Sequence, residues 1–153
     1  MPPRLFLDLD GVLADFDRAV LAVTGLRPDQ QSVPAMWRAL AHHADFFATL
    51  PMLPDAPALW DFCRPHRPVI LTGLPLGNWA APQKRRWVAA HLGNDVDVIT
   101  CMARDKVLHS GPGHVLVDDR AAAAGPWQTA GGVFVLHTTA AATIATLESL
   151  GFP

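Results

Sequence analysis

A three-layer α/β domain built on a parallel sheet is what this chain predicts, on three observations. The stretch Leu5-Phe6-Leu7-Asp8-Leu9-Asp10 is an apolar run broken only by two acids, the pattern of a strand buried on both faces with carboxylates near its carboxyl end. From Pro68 onward, short apolar runs alternate with helical patterns, which implies βα units joined by right-handed crossovers. The segment between the first two strands, about 17–53, carries helical periodicity of its own and reads as a small helical cap inserted after the first strand. A length of 153 residues suits a single domain, 1–153, around one core.

Each element has a local reason. After the first strand Gly11 permits a sharp turn, and Phe16, Ala19, Val20 and Val23 form the stripe of a helix with one buried face. Gly25 is placed to end that helix. Ser32 caps the next, with Met36, Trp37, Leu40 and Ala44 inward. Residues 45–54 hold Phe46, Phe47, Leu50, Met52 and Leu53, too apolar for an exposed loop, and Asp55 is expected to cap the helix that follows. Val69–Thr72 is the second strand, followed by a loop rich in proline and glycine. Pro82–Leu92 is a helix with Trp87 and Ala90 inward, and Lys84-Arg85-Arg86 is read as its solvated face. Val96–Thr100 is the third strand, Met102–Gly113 a long loop carrying Lys106, and His114–Asp118 the fourth strand. A helical turn at Ala121–Ala124, a fifth strand at Val133–Leu136 and a closing helix at Thr139–Leu150 complete the chain.

Composition excludes several classes. The net charge of −2 offers no general attraction to nucleic acid or an anionic membrane. No apolar stretch approaches the ~20 residues of a membrane span, and the first strand begins too early for a signal peptide. Cys63 and Cys101 are too few for a disulfide scaffold and read as reduced thiols. No His/Cys set has zinc spacing. These features together lead us to expect a cytoplasmic protein, a monomer or homodimer, with no nucleic-acid polymer and no membrane as partner.

Chemistry is concentrated at predicted strand ends, where ligands of open α/β sheets bind. Asp8 and Asp10 share one side of their strand by period-2 alternation, and Asp118-Asp119 follows a buried strand, where adjacent acids repel. Two such charges about 4 Å apart repel by roughly 4 kcal/mol at an effective dielectric near 20, so a converging cluster calls for a cation. Oxygen-only ligands suit Mg²⁺, which retains waters and binds substrate phosphate.

Asp8-Leu9-Asp10-Gly11-Val12-Leu13-Ala14-Asp15-Phe16 resembles the first motif of the haloacid dehalogenase superfamily, and its Val-Leu-Ala-Asp-Phe continuation is similar to the 5′(3′)-deoxyribonucleotidase branch. The superfamily's other pieces have counterparts in the same order: Val69-Ile70-Leu71-Thr72-Gly73, then Arg104-Asp105-Lys106, then Val115-Leu116-Val117-Asp118-Asp119-Arg120. The resemblance covers roughly the whole chain and implies a Rossmann-like fold and a Mg²⁺-dependent phosphomonoester hydrolase. It further implies that Asp8 attacks phosphorus, forming an aspartyl phosphate, and that Asp10 protonates the leaving alkoxide and later deprotonates water. Mg²⁺ would be held by Asp8, by the backbone carbonyl of Asp10, and by Asp118. Thr72 and the Gly73 amide would bind phosphoryl oxygens, Lys106 would offset their charge, and Asp119 would orient Lys106 or a metal-bound water.

In the deoxyribonucleotidases, aromatic residues after the first motif and in the cap form a base pocket. Phe16 and Phe46 are the corresponding candidates here, while Trp37 and Phe47 are expected in the cap core. The implied substrate is a small phosphorylated compound such as a nucleoside monophosphate. One position departs from that branch: Thr72-Gly73-Leu74-Pro75 stands where the nucleotidases have Thr-Ser-Pro, so one phosphate-binding hydroxyl is missing. Two alternatives are a phosphatase for another small phosphorylated metabolite and a receiver-like phosphoacceptor module. Receiver domains place their acidic pair after the first strand and the acceptor on the third, whereas this chain's pair ends the fourth.

Overall fold

Arg4–Leu7 forms β1 at the centre of a five-stranded parallel sheet. β2 (Val69–Gly73) and β4 (His114–Asp118) flank it, β3 (Val98–Cys101) lies beyond β2, and β5 (Val133–Leu136) lies beyond β4. This computed structural model describes residues 3–153. Strands 1 to 3 progress toward one edge and strands 4 and 5 toward the other. The order therefore reverses beside β1, which opens a crevice at the carboxyl ends of β1 and β4.

Alternation sorts the strand side chains into two layers. Leu5, Leu7, Ile70, Val115 and Val117 face one side, where they join Trp87 and Val88 of α4 (Ala80–His91) and Leu147 of α6 (Ala140–Ser149). Phe6, Val69, Leu71 and Leu116 face the other, against Trp127 of α5 (Ala124–Thr129). Leu5, Phe6 and Leu7 are at most 1 % exposed. Full burial of such side chains stabilises by about 1.5–3 kcal/mol each, which explains why β1 takes the central position.

Three helices occupy the connection between β1 and β2: α1 (Phe16–Thr24), α2 (Val33–His42) and α3 (Ala56–Cys63). Asp15 caps α1 by accepting from the Arg18 amide, and Gly25 ends it with φ 76°. Ser32 caps α2 by accepting from the Ala35 amide. Met36, Leu40, Phe46, Phe47 and Leu50 belong to the same apolar cluster as Leu5, Leu7 and Ile70, so the inserted segment shares the main core. Residues Gln83 and Trp87 of α4 anchor the turn at 45–50. The Gln83 side-chain oxygen accepts from the Phe47 amide at 2.8 Å, and the Trp87 indole donates to the Leu50 carbonyl at 2.7 Å.

The structure departs from expectation at several places. β1 ends at Leu7, and Asp10 lies in a tight turn where the amides of Val12, Leu13 and Ala14 all converge on the Leu9 carbonyl. β3 is shifted to Val98–Cys101, and the loop carrying Lys106 contains a 3₁₀ helix, Ala103–His109. Asp55 stands at the N-cap position of α3 as expected, but its side chain makes no capping bond there. Its carboxylate accepts from the Ala140 amide at 2.7 Å and so serves the first turn of α6, where an orphan amide and the helix dipole favour an acid. Lys84 is not on a solvated face: Arg85 and Arg86 are exposed, but Lys84 is 1 % exposed. Among the described residues no helix is long and apolar enough to cross a membrane.

Candidate active site

The central place of β1 determines what meets at the crevice. Its neighbours on either side are β2 and β4, so the residues that leave the three carboxyl ends (Asp8, Thr72 and Asp118) become neighbours despite lying far apart in the chain. The Asp8 amide donates to the Val117 carbonyl at 2.9 Å, which extends the β1–β4 pairing one step past the strand and sets Asp8 beside Asp118.

Lys106 links these two acids. Its Nζ lies 3.1 Å from Asp8 Oδ1 and 3.0 Å from Asp118 Oδ2, and all three residues are buried. Burial opposes the charge on Lys106, but Asp8 and Asp118 outweigh it and hold the ammonium above its ordinary range. Asp8 also accepts from the Leu9 amide at 2.8 Å. Burial nonetheless pushes its carboxyl up to about 8, with Lys106 opposing the shift and Asp118 and Asp10 adding to it. Asp118 Oδ1 accepts from the Arg120 amide at 2.9 Å.

Asp119 is exposed yet pushed up to about 6 by partial burial and by its neighbour Asp118. Lys106 takes Asp8 and Asp118 as partners rather than Asp119, whose carboxylate lies against Gly11. Gly11 is required there twice over: its φ is 81°, and a Cβ would run into the Asp119 carboxylate. Oxygens of Asp8, Asp118 and Asp119 lie within 4.8 Å of one another. Three hard oxygen donors, two of them on carboxyls that burial and neighbouring acids push toward the neutral form, fit a divalent cation such as Mg²⁺.

A second lysine enters from the other face of the sheet. Lys84 Nζ donates to Asp10 Oδ2 at 2.9 Å, to Thr72 Oγ1 at 2.8 Å and to the Gly73 carbonyl at 2.7 Å. Asp10 Oδ1 is buried and has no hydrogen-bond partner among the described residues. The helical stripe Ala80, Lys84, Trp87, Val88 is the signal that could have located Lys84, since it lies four residues after one buried position and three before another.

These groups floor a cavity of about 750 Å³. Asp8, Asp10, Gly73 and Lys106 lie at its base, and Phe16, Trp37, Leu74, Leu76 and Trp79 form apolar walls. Arg38 and Arg120 also line it. Thr72 is fully buried behind Gly73. Phe16 and Trp37 are half-buried with ring centroids 5.8 Å apart. Phe46 is 2 % exposed and does not line the cavity: it packs edge-on against Phe16 and Phe47 and serves as a wall behind the wall. Trp37, expected in the core, faces the cavity. Trp79, which no motif singled out, does so too because its loop follows Thr72 at the carboxyl edge of the sheet. Cys63 lies far from this chemistry in kind: burial pushes its thiol up to about 12, which leaves it inert.

No protein-family model and no curated protein sequence matches the chain. Solved structures do. A haloacid dehalogenase superfamily hydrolase from Ehrlichia chaffeensis superposes with a TM-score of 0.57 at 13 % identity, covering 98 % of both chains. A haloacid dehalogenase family hydrolase from Deinococcus radiodurans R1, with bound phosphate and sodium, gives 0.55 at 17 % identity, covering 99 % of this chain and 97 % of that one. The L-2-haloacid dehalogenase from Xanthobacter autotrophicus gives 0.54 at 14 % identity over 100 % of this chain and 85 % of its own. With its strand order, its central acid-bearing strand and these superpositions, the chain has the fold of the haloacid dehalogenase superfamily hydrolases.

Proposed function

We propose that the protein is a phosphomonoester hydrolase that works through an aspartyl-phosphate intermediate with Mg²⁺ as its cation. The observation that carries this reading is the meeting of Asp8, Asp10, Asp118 and Lys106 at one sheet edge, with Asp10 keeping one oxygen uncommitted. Asp8 attacks phosphorus as the bond from phosphorus to the ester oxygen breaks, and Asp10 gives its proton to the departing alkoxide. Water then attacks the aspartyl phosphate, Asp10 takes the water's proton, and Asp8 is released with inorganic phosphate. Lys106 offsets negative charge on Asp8 and on the phosphoryl group, and the Thr72 hydroxyl and Gly73 amide bind its oxygens. Asp8, Asp118, Asp119 and the Asp10 carbonyl would hold Mg²⁺, which when bound supplies further charge neutralisation.

The fold also hosts a haloacid dehalogenase. A halide leaves without a proton, so dehalogenation gives Asp10 no proton to donate in the first step and gains nothing from a cation-ready acidic trio. Purified protein with Mg²⁺ is expected to release phosphate from a panel of phosphomonoesters and no halide from a 2-chloro carboxylic acid. Halide release without phosphatase activity would reverse the assignment.

The apolar walls support a substrate with a planar, weakly polar leaving group, a nucleoside monophosphate among them. Base–aromatic stacking contributes roughly 1–3 kcal/mol. Phe16→Ala is therefore expected to raise KM for a nucleoside monophosphate about 5- to 150-fold, with little change for a small aryl phosphate. Phe46→Ala should instead cost about 3–5 kcal/mol of stability, as large-to-small changes in a core do. Thermal melts and KM values on both esters separate the two outcomes. An unchanged KM for Phe16→Ala would remove the base-pocket reading and leave the phosphatase reading standing.

A further inference from the structure

We infer that Lys84 is a positioning residue, one ammonium that decides which oxygen of Asp10 acts and which way the Thr72 hydroxyl points. The inference rests on the phosphomonoesterase reading. An ammonium has three N–H donors and no acceptor. All three are committed, to Asp10 Oδ2, Thr72 Oγ1 and the Gly73 carbonyl, at 2.7–2.9 Å. The Phe47 ring centroid lies 4.6 Å from Nζ and closes the remaining direction. Lys84 therefore has no N–H left for a phosphoryl oxygen, unlike a lysine whose role is to bind substrate.

Its commitments fix two other groups. Thr72 Oγ1 accepts from Lys84, so the hydroxyl's single hydrogen must be donated elsewhere. A hydroxyl obliged to donate is what an incoming phosphoryl oxygen requires. Asp10 Oδ2 is held by Lys84, which leaves Oδ1, without a partner among the described residues, as the oxygen that carries the exchangeable proton. Lys84 reaches these groups from α4, and α4 also anchors the 45–50 turn through Gln83 and Trp87. The helix that closes the cap segment onto the sheet thus also sets the acid.

Lys84→Met keeps side-chain length and apolar packing on Phe47 while removing all three donors. Crystal structures of the wild type and of this variant give a readout independent of turnover. Asp10 and Thr72 are expected to leave their wild-type rotamers, and both unmoved would overturn the inference. Kinetically, p-nitrophenyl phosphate has a leaving group that departs without a proton, whereas a primary alkyl phosphate needs one. Lys84→Met is expected to lower kcat/KM, which reports phosphoryl transfer to Asp8 and not the later hydrolysis common to both esters, by about 10²–10⁴-fold on the alkyl ester, and by at least tenfold less on the aryl ester. Asp10→Asn should show the same bias, and the double variant no greater bias. Lys84→Arg, which restores donors, should recover part of the alkyl rate. Equal losses on both esters would overturn the inference. If the Met variant does not fold, Lys84→Gln is read in the same way. A wild type inactive on every ester would remove the phosphatase reading, and the crystal structures would still decide whether Lys84 holds Asp10 and Thr72.

Discussion

Asp8→Asn is expected to lower turnover of every phosphomonoester by about 10⁴–10⁶-fold, the loss typical of deleting a nucleophile, while the protein stays folded. Asparagine has nearly the volume of aspartate and keeps an oxygen to accept from the Leu9 amide, the bond Asp8 makes at 2.8 Å. Lys106 retains Asp118 at 3.0 Å, so its buried ammonium is not orphaned. Burial holds the Asp8 carboxyl up to about 8, which means that the folded metal-free protein resists charge at this position. A neutral amide removes that conflict. The melting temperature of metal-free Asp8→Asn at pH 8 is expected to match or exceed that of the wild type. Wild-type turnover in carefully purified variant protein would end the covalent mechanism, and a large loss of Tm would show that Asp8 is needed for folding instead.

Removal of the cation should have the second large effect. Chelator is expected to abolish hydrolysis and Mg²⁺ to restore it, because Asp8, Asp118 and Asp119 together repel an anionic ester. The same cluster predicts a pH signature in the metal-free protein. An unfolded aspartate loses its proton near pH 4, whereas folded Asp8 holds it until about 8 and Asp119 until about 6. Over that window the unfolded chain binds fewer protons than the folded one, so stability falls as pH rises from about 4 to 8. The raised Lys106 acts in the same sense, but its contribution is lost only above the ordinary lysine range, outside this window.

A cation that binds the deprotonated carboxylates should reverse the trend. At 100 times its Kd a ligand stabilises by about 2.7 kcal/mol, and for a chain of this size each kcal/mol moves Tm by about 2–4 °C. Melts of chelated protein should therefore fall in Tm between pH 5 and 8, and Mg²⁺ should raise Tm by roughly 5–11 °C at pH 8. A Tm that is flat across this range and indifferent to Mg²⁺ would exclude the acidic trio as a cation site.

How much of this was legible beforehand follows from the kind of interaction each residue makes. Leu5, Phe6 and Leu7 announce a doubly buried strand because burial on both faces leaves no polar position in the run. Asp8, Thr72 and Asp118 were readable because each stands where an apolar run stops, and the parallel order of the strands brings those stops to one edge. Gly25 and Ser32 act within a turn of their own helices, so their local pattern suffices.

Lys84, Phe46, Trp37 and the side-chain partner of Asp55 were misread for a shared reason. Whether a lysine on a helix is solvated depends on what faces it across space, here Asp10, Thr72 and the ring of Phe47, none of which is near it in the chain. Of the two aromatics Phe16 and Phe46, only the first reaches the cavity, because the turn at 45–50 is drawn onto α4 by Gln83 and Trp87 and carries Phe46 into the core. Asp55 caps α6, 85 positions along, because folding sets that amide closer to it than any of its own helix. The sequence by itself determined the alternation of strands and helices, the turn after β1 and the carboxylates at the strand ends, all of which follow from local pattern and burial. Tertiary structure alone decided which buried groups share a proton or an ammonium, since those partnerships depend on distances that no spacing along the chain encodes.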